Sequence, residues 1–219
     1  MENQIGNLSW ININKGGTIV ELKNLCLKLA KADTENEVVN ILREAGYWDN
    51  SDAWRHYGDN ENNFAVIGNQ QSAPDAALVE KIINSVDATL MRECLRKNIN
   101  PESPQAPGSL KNAQEDFFDI KNGILANVSP GKRRELAKNI IVTATGEKSN
   151  PSYSIIDKGE GQTPNKMPST FLSLTKSNKL RIPFVQGKFN MGGTGALQFC
   201  GKQNLQLIIS RRDPCIVKK

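Results

Sequence analysis

The stretch Leu78-Val-Glu-Lys-Ile-Ile-Asn-Ser-Val-Asp-Ala-Thr-Leu90 governs the reading of this chain. Its apolar residues Val79, Ile82, Ile83, Val86 and Leu90 recur at helical spacing, and the pattern runs from Asp75 to about Arg96. That predicts the strongest helix of the chain, with the apolar arc facing a core. At about 3.6 residues per turn, Glu80, Asn84 and Asp87 fall within about 60° of one another. A carboxylate, an amide and a second carboxylate then project together beside the apolar arc. The same positions also suit polar boundary residues on an ordinary amphipathic helix.

Outward from this helix the chain changes character twice. Toward the N-terminus, Thr34-Glu-Asn-Glu37 is a capping box ahead of Val38, Val39, Ile41 and Leu42, and Gly46 can end that helix. An earlier helix is expected over Thr18–Ala32, preceded by an arm with a short strand at most around Leu8–Ile13. Residues 1–58 therefore read as a helical extension and 59–219 as the main domain, with Phe64–Ile67 as a short strand. Toward the C-terminus, Asn98–Ser109 is a proline-bearing loop, and Lys111–Leu125 and Pro130–Lys138 look helical. Ile140–Thr145 and Ser152–Ile156 are β-rich runs around a turn at Gly146–Asn150, and Asn204–Ser210 is a last strand candidate. Helices interleaved with hairpin-joined strands make α+β the expected class, with helices layered on one face of a mixed, mostly antiparallel sheet.

Composition excludes several classes. The 219 residues are 38% apolar and include 17 glycines, a globular share. No apolar run approaches the roughly 18 residues of a membrane helix. The start MENQIGNLSW lacks the features of a signal peptide, so a soluble cytoplasmic protein with no membrane partner is expected. The net charge of +5 permits a polyanionic ligand or partner, and it is equally compatible with ordinary solvation. Cys26, Cys94, Cys200 and Cys215 lie far apart without a C-x-x-C pair, which indicates neither a zinc site nor a disulfide framework. With His56 as the single histidine, a His-based triad has almost nothing to draw on.

Two further segments carry chemistry. In Ile155-Ile-Asp-Lys-Gly-Glu-Gly161 a strand delivers Asp157 into a turn with two glycines. The glycines allow close approach of a flat ligand, and the carboxylate can accept from an exocyclic amine. A plain glycine turn after an edge strand has the same sequence. In Gln186-Gly-Lys-Phe-Asn-Met-Gly-Gly-Thr-Gly-Ala-Leu197 the glycines lead into apolar positions, as in a flexible loop entering a helix whose N-terminus faces an anion. A merely mobile loop fits as well, and neither the P-loop nor the G-x-G-x-x-G fingerprint is met.

In order and chemistry these three segments resemble the GHKL (Bergerat-fold) ATPase superfamily, which includes DNA gyrase, the heat-shock-90 chaperone and the MutL proteins. The helix motif E-x-x-x-N-x-x-D-A is filled by Glu80, Asn84, Asp87 and Ala88, the D-x-G-x-G turn by Asp157, Gly159 and Gly161, and the second glycine box by residues 187–195. The resemblance spans about residues 64–210. It implies a two-layer α/β sandwich that binds Mg²⁺ and ATP and hydrolyses it, acting as a conformational switch. It implies Glu80 as the general base, Asn84 as the Mg²⁺ ligand, and Asp87 and Asp157 at the adenine end. Gly159 and Gly161 would pass close to the base, and Gly187, Gly192, Gly193 and Gly195, with Lys188, would surround the phosphates. Asn190 departs from the glycine of several relatives. Relatives also continue with further strands and a domain that supplies a lysine, so the chain is expected to be the N-terminal part of a larger protein. A homodimer on ATP binding, and a DNA or protein partner through those further domains, belong to the same expectation. The alternative is a nucleotide-sensing module with little turnover that contacts DNA or a protein.

Overall fold

Helix formation is clearest where the 3.6-residue pattern is longest. In the computed structural model, which describes residues 9–11, 19–60, 63, 73–173, 179–187 and 195–216, a 23-residue helix runs Pro74–Arg96. Pro74 opens it, since the first turn needs no N–H from that position. The chain divides into two compact units. The first holds Met1–Ser72, Ala144–Tyr153 and Thr194–Ile209, and the second holds Ala73–Thr143, Ser154–Gly193 and Ser210–Lys219.

The first unit is built on a helical hairpin. Strand β1 (Ser9–Ile11) pairs antiparallel with β2 (Trp54–His56), Trp10 opposite Arg55. Between them lie α1 (Ile19–Leu29) and α2 (Glu35–Glu44). The Thr34 hydroxyl accepts from the Glu37 backbone N–H at 3.3 Å, and the Glu37 carboxylate reaches back to the N–H of Asp33 at 2.7 Å. Leu25, Leu29, Val38 and Leu42 form the core of this unit, with Tyr47, Trp48 and Leu205 packed on it. Trp54 stands edge-on to Trp48, and its indole N–H donates to the carbonyls of Tyr47 and Trp48 at 3.1 Å. Two of the tryptophans are thus packing anchors. The pairing of β2 is absent from the sequence pattern, because a three-residue strand shows no alternation to read.

The second unit centres on the long helix, here α3 (Pro74–Arg96), with α4 (Leu110–Phe118) and α5 (Pro130–Ala137). Its core joins Leu90, Met91 and Cys94 of α3 to Ala113 of α4 and to Ile182, Phe184 and Val185. Phe117 meets Phe184 edge to face, with centroids 6.1 Å apart. Each large apolar side chain fully buried here contributes about 1.5–3 kcal/mol. Strands β3 (Ile140–Glu147) and β4 (Asn150–Asp157) form a two-stranded hairpin whose base belongs to this unit and whose tip belongs to the first. Neither face of the hairpin is buried, and Ile141, Val142, Tyr153 and Ile156 are all exposed.

The class is α+β, with two two-stranded ladders among the described residues. No described helix is long and apolar enough to cross a membrane. Several expectations are corrected. α4 ends at Phe118 rather than Leu125 because Asp119 turns into the left-handed region (φ 53°), and short 3₁₀ turns follow. Val79, expected in the core-facing arc, is 53% exposed, because the buried stripe of α3 runs instead through Ala77, Ser85, Asp87, Leu90, Met91 and Cys94. The strand expected over Asn204–Ser210 does not form, since Asn204 lies in a turn and residues 205–210 carry no strand. The glycine box is followed by a three-residue 3₁₀ turn, Leu197–Phe199, and not by a helix. Positive φ at Gly201 and Asn204 turns the chain there, and the Glu35 carboxylate takes the N–H groups of Lys202 and Gln203. A helix dipole at that point is therefore excluded. The Phe64–Ile67 strand lies outside the described residues.

Candidate functional site

The site is built on α3, whose polar residues fall on the side that the rest of the second unit approaches. Hydroxyls along this stripe are satisfied within the helix, Ser85 Oγ donating to the Lys81 carbonyl and Thr89 Oγ1 to the Ser85 carbonyl. That leaves Asp87 as the one ionised group in the stripe that must find partners elsewhere. It is fully buried. A buried carboxylate is tolerated only when charge or hydrogen bonds compensate it. Asp87 Oδ1 accepts from the Gln186 N–H at 2.9 Å, and Oδ2 accepts from the Gly187 N–H at 2.8 Å. The Lys179 ammonium stands 3.4 Å from Oδ2. The resemblance assigns Asp87 to the adenine end, whereas here both of its oxygens are engaged by the chain itself.

Gly187 is packed against the same helix. A Cβ on it would lie 2.8 Å from Asn84 Oδ1 and 3.2 Å from Asp87 Oδ2. A side chain at this position would have to displace the Asn84 amide, and glycine leaves the Asn84 oxygen facing the Gly187 backbone. Since the N–H groups of Gln186 and Gly187 both point at Asp87, neither donates outward to an anion. Glu80, one turn before Asn84, is half-buried and has no hydrogen bond or ion pair among the described residues. Asn84 and Glu80 thus present an amide oxygen and a carboxylate on one edge.

The D-x-G-x-G turn also seats on α3. A Cβ on Gly159 would fall 2.4 Å from Ala88 Cβ, so two small residues are needed for the turn to sit there. The Glu160 N–H donates to the Ala88 carbonyl at 3.1 Å, and the Arg92 guanidinium donates to the Lys158 carbonyl. Asp157 is exposed, and its Oδ1 accepts from the Gly159 N–H at 2.8 Å, closing the turn on itself.

Gly161 has a different reason. With φ +63°, a Cβ on it would lie 1.8 Å from the Arg211 carbonyl oxygen. Its close neighbour is therefore the segment Ser210–Asp213, which clasps the turn. Ser210 Oγ accepts from the Gln162 N–H, the Asp213 N–H donates to the Glu160 carbonyl at 2.9 Å, and Arg212 pairs with the Glu160 carboxylate. The Cys215 N–H, together with the Arg96 guanidinium 3.1 Å away, holds the Asp213 carboxyl below its ordinary value.

Of the residues singled out in the sequence, Glu80, Asn84, Asp87, Asp157, Gly159, Gly161 and Gly187 all lie in the second unit, on α3 or on segments packed against it. Gly195 is buried in the first unit. Lys188, Gly192 and Gly193 lie outside the described residues. Sequence reading missed Lys179, Gln186 and the 210–213 clasp, none of which carries a local pattern. Among the described residues no group of three or more His, Cys, Asp or Glu comes together. No protein-family model, curated protein or solved structure matches the chain.

Proposed function

We propose that the second unit is a GHKL-type module, of the Bergerat fold, that binds Mg-ATP and hydrolyses it as a conformational switch. The observation that carries this reading is the seating of Gly187 on Asn84 and Asp87, 100 residues from Asp87 along the chain. With Gly159 on Ala88, it supports a shared ligand face for the three segments.

The residues present suit Mg²⁺. Asn84 offers a neutral side-chain oxygen, and Mg²⁺ takes few protein ligands when a polyphosphate supplies the rest. When bound, the ion would offset phosphate charge. Glu80, on the same edge, would orient and deprotonate the attacking water. Asp157 keeps one carboxylate oxygen beyond the one closing its turn, and that oxygen would accept from the adenine amine. Dimerisation on ATP binding and a DNA or protein partner belong to the same proposal.

Glu80→Ala tests it. Mg-ATP affinity should persist while turnover falls by about 10²–10⁴-fold, the usual contribution of a general base. Turnover equal to the wild type's would remove Glu80 from the mechanism. Measurable affinity with background turnover in the wild type would favour the nucleotide-sensing alternative.

A further inference from the structure

One carboxylate holds both ends of a nine-residue stretch. Asp87 takes the backbone N–H groups of Gln186 and Gly187 at one end and the Lys179 ammonium at the other. Between them Ile182, Phe184 and Val185 are sunk in the core. The side chain of Lys179 keeps 25% of its exposure, whereas Asp87 has none. We propose that Asp87 and Lys179 form a positioning pair that fixes the Gly187 backbone against Asn84, the point where the nucleotide reading places the phosphates. This inference rests on that reading.

The physical argument is compensation. Asp87 is wholly inaccessible, so it reaches a ligand only through what it holds. Two neutral N–H donors and one ammonium offset its charge. Without the ammonium, the buried carboxylate would lose its one formal counter-charge and rely on the two amides alone, and removing one partner of a buried ion pair is costly. The carboxylate would then gain by drawing water in, and the 186–187 backbone it holds would shift from Asn84. Lys179 therefore acts through Asp87 and is not itself a ligand contact.

The test uses the whole chain with Lys179→Met, Asp87→Asn and the double variant. It reads Mg-ATP affinity by calorimetry and amide hydrogen exchange at Gln186 and Gly187 without nucleotide. Lys179→Met should weaken affinity about tenfold and speed both exchange rates by a similar factor, the usual scale for a charged hydrogen-bond partner. Lys179→Arg should restore both. The double variant should bind no more weakly than Asp87→Asn alone. Effects that multiply would show Lys179 touching the ligand itself and would overturn the pair, as would unchanged exchange in Lys179→Met. If Asp87→Asn does not fold, Lys179→Met and Lys179→Arg still decide. A wild-type chain that binds no Mg-ATP defeats the nucleotide reading, and the exchange rates then judge the pair alone.

Discussion

The two halves of α3 are built to different standards. From Ser85 to Cys94 the helix buries Ser85, Asp87, Thr89, Leu90, Met91 and Cys94, and every polar group in that stripe is bonded within the helix or to the segments packed on it. From Leu78 to Asn84 burial is partial, Val79 is exposed, and Glu80 has no partner among the described residues. The same amphipathic pattern runs through both. The difference lies in what meets the helix, with Gly159, Glu160, Gln186 and Gly187 arriving around Asn84 to Ala88. On the proposed reading, the bonded half holds geometry while the more open half keeps Glu80 available, a division suited to a preorganised site.

Loss of the Glu80 carboxylate is the largest expected effect on the open half, read in turnover. In the turn seated on the fixed half, Gly161→Ala should do most damage. Its Cβ would collide with the Arg211 carbonyl, and φ of +63° disfavours any L side chain. Left-handed strain and overpacking together predict a loss of about 3 kcal/mol in urea denaturation. A loss under 0.5 kcal/mol would show that the 210–213 clasp is not seated there.

A pH series examines the same clasp more gently. The Asp213 carboxyl is held low in the fold, so its contribution is present above its unfolded value near pH 4 and is lost as pH falls through the folded value. Asp213→Asn should narrow its stability deficit against the wild type as the solution is acidified below about pH 4. A deficit constant with pH would deny Asp213 that role. The smallest effect falls on the exposed face. Val79→Ser should change stability by no more than about 0.5 kcal/mol, measured the same way.

Local signals were legible wherever a repeat or cap was long enough to read. Pro74 and the helical spacing marked α3, Thr34 and Glu37 marked the start of α2, and the β-rich runs marked the β3–β4 hairpin. Signals failed where tertiary contact overrode them. Val79 fits the apolar arc but stays 53% exposed, since the described glycine-bearing segments meet α3 from Asn84 to Ala88. Residues after Gly195 read as a helix start, yet Glu35 and two positive-φ residues bend them into turns. The partnership of Asp87 with Gly187 has no local trace at all, because 100 residues separate them. The family resemblance singled out both residues without indicating their bond.

On the proposed reading, Asn84 and Gly187 share one face that receives a nucleotide phosphate. Titration of the isotope-labelled chain with Mg-ATP, followed by the amide resonances of the Asn84 side chain and the Gly187 backbone, tests it most directly. Both should shift along one saturating curve, and Asn84→Ala should abolish the response at Gly187. Both resonances holding still at millimolar Mg-ATP, in a chain whose other amides show it folded, would contradict it.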